Sequence, residues 1–325
     1  MSKSRNRSRG NGASKGRDVN GFLLLDKPAG ISSNGALQRA KFFLDAKKAG
    51  HTGSLDPIAT GLLPLCFGET TKLSSFFLNA DKRYITKVRL GETTTTGDSE
   101  GEIITSSSAS VTVEDIHKAL EAFRGDYKQM PPMFSAIKKD GQPLYKLARQ
   151  GIEIEREPRD VSVYELTLHE FDGRDVVLEI SCSRGFYVRS LAVDLGNALG
   201  VGGHVIELRR TGVGELTIDQ SVTLEQLEAV AEVEHRDNFV LPSDVGLAHI
   251  PKVNLSVDAT FYLLRGQIVS AARLPAEGWV RLYSEANGFL GLGSVTDDGR
   301  VAPKRLFQHL THSVSPTRTK FSENR

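Results

Sequence analysis

The sequence predicts an α+β fold on a largely antiparallel, mixed sheet, and three observations carry that expectation. Residues 161–171 and 175–182 both alternate apolar and polar residues and flank Asp172-Gly173, the signature of a β-hairpin. Helical periodicity lies on either side of that hairpin, as in Val113, Ile116, Leu120 and Phe123 behind the cap residue Thr112. No regular strand–helix–strand alternation of the kind that builds a parallel sheet is present.

The elements follow in order. Residues 21–25 read as a buried strand stopped by Asp26-Lys27-Pro28, and a helix follows from Ser33 with Leu37, Ala40 and Leu44 on one face. Residues 83–90 alternate like a strand. After the hairpin, residues 186–199 pass from strand character into a helix ending at Gly200, and 204–210 return as a strand. Thr223 and Gln226 form a capping box at the start of a further helix. A helix over 257–264, ended near Gly266, precedes strands at 279–283, 289–294 and 300–306, whose turns are Asn287-Gly288 and Asp297-Asp298-Gly299. This last stretch reads as a β-rich module of about 60 residues packed as a barrel, behind a linker at 245–251.

Composition excludes several classes. The 325 residues, 39% hydrophobic and 25% charged, are those of a soluble globular protein with room for two domains. No apolar run is long enough to span a bilayer and no signal-peptide segment opens the chain, so a cytoplasmic protein with no membrane partner is expected. Cys66 and Cys182 are the only cysteines and read as reduced, buried thiols, and no histidine or cysteine spacing points to a metal site. The net charge of +1 is unevenly spread. Residues 1–17 carry Lys3, Arg5, Arg7, Arg9, Lys15 and Arg17 and no acid, which reads as a disordered basic arm suited to a polyanion or simply to solubility. Residues 219–245 hold seven acids against Arg236, a face expected to point away from any nucleic acid.

Two segments carry candidate chemistry. Residues 50–61, Gly-His-Thr-Gly-Ser-Leu-Asp-Pro-Ile-Ala-Thr-Gly, set Asp56 in a glycine-framed loop of hydroxyl residues. Pro57 biases Asp56 toward extended backbone, and the glycines permit sharp turns or close approach to a ligand. On these residues alone, an aspartate capping a turn is the first reading. The insertion at 126–158 places Lys128, Lys138, Lys139, Lys146 and Arg149 among Phe134, Tyr145 and the Met130-Pro131-Pro132-Met133 run. That mixture suits an arm that grips phosphates and stacks bases, or a solvated loop folded onto the body.

With the motifs around Asp26-Lys27-Pro28, the 50–61 loop with Gly68-Glu69, Asp81-Lys82-Arg83-Tyr84 and the run from Cys182 to Arg189, the chain resembles the bacterial TruB family of tRNA pseudouridine(55) synthases from Asp18 to about Phe307. The resemblance implies a pseudouridine synthase fold over 18–249 with 126–158 as an RNA-gripping thumb, a PUA-like module over 250–312 and a flexible tail over 313–325. It implies isomerisation of a T-loop uridine of tRNA without cofactor or metal, by a monomer needing no protein partner. The implied catalytic residues are Asp56, Tyr84 stacking on the target base, and Arg189 pairing with the carboxylate; otherwise Arg189 reads as a surface charge and Tyr84 as a strand tyrosine. On the substrate side the resemblance implies His51, filling the stack vacated by a flipped base, Tyr187 and Leu208, lining the uracil pocket, and Lys27, supporting the catalytic loop. Two other classes stay open: a non-catalytic RNA-binding or tRNA-folding protein, and a guide-RNA-dependent pseudouridine synthase subunit.

Overall fold

The structure, a computed structural model, describes residues 16–307. The expected arm over 1–17 therefore lies outside the described residues except for Gly16 and Arg17, as does the tail over 313–325. Arg17 belongs to the body: its backbone bridges to Ala46 and its guanidinium pairs with Asp237.

Seven strands run across the central sheet in the order Gly21–Lys27, Thr60–Phe67, Gly203–Val213, Lys82–Leu90, Asp175–Cys182, Arg159–Phe171 and Gly125–Gln129. Two short strands, Ala49–His51 and Leu216–Thr217, pair onto it. Only the contact between Thr60–Phe67 and Gly203–Val213 is parallel, so the sheet is mixed and largely antiparallel. The hairpin forms as its turn residues require, with Asp172 accepting from the backbone N–H groups of Arg174 and Asp175.

Both faces of the first strands are covered. Leu23, Leu25, Leu63 and Leu65 pack on the side of helices Ser33–Phe43, Val188–Ala198 and Leu224–Ala229, whereas Phe22, Leu24, Leu62 and Cys66 belong to a second core cluster. That second cluster runs on without a break into Leu263, Leu282, Leu290 and Leu292 of the C-terminal module. Edge contact of Phe76 with Trp279 and the bond from Lys72 Nζ to the Leu306 carbonyl (2.7 Å) reinforce the joint.

Three sequence expectations change. The expected barrel is a four-stranded sheet, Lys252–Asn254, Trp279–Ser284, Gly288–Val295 and Val301–Leu306, with no ladder joining its outer strands among the described residues. The strand character expected at Phe186 is a turn leading into helix Val188–Ala198, whose C-terminal Gly200 has φ +73°. Gly125–Gln129 is the edge strand of the sheet, so the insertion leaves the body only after Gln129.

Candidate active site

The loop bearing Asp56 is tied down from both sides. Ser33, at the start of its helix, donates through Oγ to the Leu55 carbonyl (3.0 Å) and accepts from the Leu55 N–H (2.7 Å). The Pro57 carbonyl accepts from the Gly30 N–H (2.9 Å) and from Lys27 Nζ (3.3 Å). Lys27 is fully buried and also donates to the carbonyls of Pro28 (2.7 Å) and Ile31 (2.8 Å). Burial lowers its pKa to about 8, with the Asp56 charge acting in opposition. Lys27 thus staples two loops together and offers nothing to a bound substrate, so its place as a substrate-binding residue gives way to the supporting role. Gly61 closes the loop at φ +100°, where a Cβ would lie 2.3 Å from the Arg210 carbonyl oxygen; only glycine fits.

Arg189 meets Asp56 in the two-point geometry that a planar guanidinium favours. Nε lies 2.8 Å from Oδ2 and Nη2 3.1 Å from Oδ1. The arginine side chain is 5% exposed and the aspartate 36%, so the pair has a buried cationic end and an open anionic end. The remaining donors of Arg189 go to the carbonyls of Phe134 (2.8 Å) and Thr96 (3.1 Å), and Nε also lies 3.5 Å from Asp98 Oδ2. Burial raises the pKa of Asp56, the Arg189 charge pulls it down, and Asp98 raises it again.

The first residues of the Arg189 helix are held by the sheet edge and the base of the insertion. Gln129, buried, accepts from the Tyr187 N–H (2.8 Å) and donates to the Tyr187 carbonyl (3.1 Å), while Ser190 Oγ donates to the Met130 carbonyl (2.7 Å). Tyr187 itself is half-buried, and burial raises its phenol pKa. Tyr84, buried on Lys82–Leu90, stands directly across from Arg210 on Gly203–Val213, and its pKa is pushed up to about 12, chiefly by burial. Leu208, also buried, lies two residues before Arg210 on the same strand. His51 ends Ala49–His51 with Nδ1 buried and without a hydrogen-bond partner; burial and the Arg210 charge lower its pKa, favouring a neutral ring.

The sequence-predicted residues therefore gather around one loop and the middle of one sheet. Three participants escaped the sequence reading: Asp98, 3% exposed and shared with Arg189; Gln129; and Arg210, 2% exposed. Among the described residues no group of His, Cys, Asp or Glu is placed to hold a metal ion, and no helix is long and apolar enough to cross a membrane.

The class of protein comes from matches along the chain. Residues 41–188 match the TruB family pseudouridylate synthase N-terminal domain, 189–248 the tRNA pseudouridylate synthase B C-terminal domain, and 251–307 the pseudouridine synthase II TruB C-terminal domain. A tRNA pseudouridine synthase B of Pseudomonas aeruginosa is 53% identical over 90% of this chain and 97% of its own, and one of Nitrosococcus oceani is 52% identical over 90% and 96%. The chain belongs to the TruB family of pseudouridine synthases. Its fold is also similar to that in a crystal structure of a Cbf5–Nop10–Gar1 complex, with a TM-score of 0.67 and 26% identity over 89% of this chain and 85% of that one.

Proposed function

We propose that this protein converts uridine 55 in the T loop of tRNA to pseudouridine, acting alone in the cytoplasm, with Asp56 as its catalytic carboxylate. The observation that carries the reading is the Asp56–Arg189 pair: an oriented carboxylate whose counterion is buried behind it and whose open side faces solvent. The names of the relatives at 52–53% identity support tRNA as the substrate.

The reaction breaks the N1–C1′ bond, turns the uracil, and joins C5 to C1′; the C5 proton is lost and N1 regains one, so no external electron or group donor is consumed. Ionised Asp56 supplies negative charge where C1′ becomes positive or where a covalent bond forms. Tyr84 and Leu208 form the wall against which the base turns. Extruding the uridine costs a few kcal/mol, and a neutral His51 ring entering the stack returns roughly 1–3 kcal/mol. The bases of the insertion hold the phosphate backbone.

A guide-RNA-dependent subunit is the rival reading, since the Cbf5 structures are of multi-protein assemblies. The insertion rooted at Gln129 and Met130, carrying its own cationic residues, favours direct grip on tRNA. Carbodiimide mapping of an unmodified tRNA transcript incubated with this chain alone tests the reading. A single stop at position 55 is expected; no stop, or stops elsewhere, would overturn it.

A further inference from the structure

Arg210 is among the largest fully buried side chains of the protein, yet it takes part in none of the ion pairs among the described residues. A buried guanidinium without a carboxylate is costly, and a methionine or leucine of similar length would fill the space at less expense. Its donors show where the charge is used. Nε donates to the Leu62 carbonyl (2.8 Å) and Nη2 lies 3.4 Å from the Gly53 carbonyl, so the side chain holds the loop three residues before Asp56 and six residues after it. On the other side it meets Tyr84, its directly opposed partner in the antiparallel ladder, where side chains lie on one face about 5 Å apart at Cβ. The guanidinium is thus the charged group that faces the Tyr84 phenol from the neighbouring strand.

We propose that Arg210 is a positioning residue of the isomerisation, fixing the Asp56 loop and the Tyr84 hydroxyl with one guanidinium. The inference rests on the isomerase reading above. A guanidinium has only donors, so the Tyr84 hydroxyl can meet it only through its oxygen. The position opposite Gly61 adds a backbone restraint, because the Arg210 carbonyl occupies the space that a side chain at Gly61 would need. One residue therefore sets the catalytic aspartate and the tyrosine relative to each other, a coupling that neither Arg189 nor Lys27 provides.

The test compares the intact chain with Arg210→Met, Arg210→Lys and Tyr84→Phe on tRNA labelled at uracil C5, measuring tRNA Kd and the single-turnover rate of tritium release. Arg210→Met is expected to slow release at least 30-fold with Kd within threefold. Arg210→Lys, which keeps the charge but not the planar fork of donors, is expected to recover only part of the rate and guards against a Met variant that does not fold. In the Tyr84→Phe background Arg210→Met should cost less rate than in the intact chain, as a guanidinium acting through the Tyr84 hydroxyl requires. Rates within threefold of the intact chain for both Arg210 variants would overturn the proposal while leaving the isomerase reading standing; no release by the intact chain would overturn that reading itself.

Discussion

At the scale of single residues, the proposed chemistry turns on the charge state of Asp56. Burial raises its pKa and Arg189 opposes the rise, so the ionised form is reached at higher pH than for an ordinary carboxylate. Single-turnover rate should be full above that raised pKa and fall as pH drops through it. An acid limb below the usual carboxylate range would contradict the geometry. The linkage has the opposite sign for stability: a raised carboxylate pKa means stability is complete below the unfolded value and diminished above the folded one. Asp56→Asn should therefore hold or raise Tm at pH 7, and a marked fall would show that the ion pair outweighs the burial. Lys27 is the contrasting case. Lys27→Met leaves three loop carbonyls without their donor and should destabilise by about 2–4 kcal/mol, measured by denaturant unfolding. Asp56, Arg189, Tyr84 and His51 stand out in the sequence because each sits in a short string of residues that can be read locally. Asp98, Gln129 and Arg210 do not, because their contacts form only across separations such as the 157 positions between Arg210 and Gly53.

At the scale of elements, turn chemistry was readable and pairing was not. Thr112 with Asp115 and Thr223 with Gln226 form the capping boxes at the starts of Val113–Glu121 and Leu224–Ala229. The strand Thr60–Phe67 gave no clear signal, because Pro64 interrupts it and marks an edge by the usual rule. Its ladder to Gly203–Val213 spans only Thr60 and Gly61 and has ended before Pro64. That brief parallel contact is where the Asp56 loop joins the sheet, and Gly61→Ala tests it. A Cβ there would meet the Arg210 backbone at 2.3–3.0 Å, so a loss of about 3 kcal/mol or more is expected, with the rate reduced on whatever folds. Stability within 0.5 kcal/mol of the parent would mean the loop seats differently.

At the scale of the whole molecule, the C-terminal module is part of the structural core. The sequence reads as a separate module behind a linker at 245–251, yet Leu247 and Ile250 in that linker are buried in the cluster that joins Phe22 to Leu282. Removing residues 251–325 should lower the Tm of the remainder by roughly 10 °C, the equivalent of re-exposing about two large apolar side chains. An unchanged Tm would make the module an independent unit. The affinity of the intact chain for tRNA should fall steeply with salt as phosphate contacts are lost, and a flat response would remove the polyanion from the account. An isomerase working through Asp56 is tested by tritium release from C5-labelled unmodified tRNA, with intact chain and Asp56→Asn compared at equal tRNA occupancy. Release by the intact chain and none by the variant is the predicted result; release by both at similar rates would contradict it.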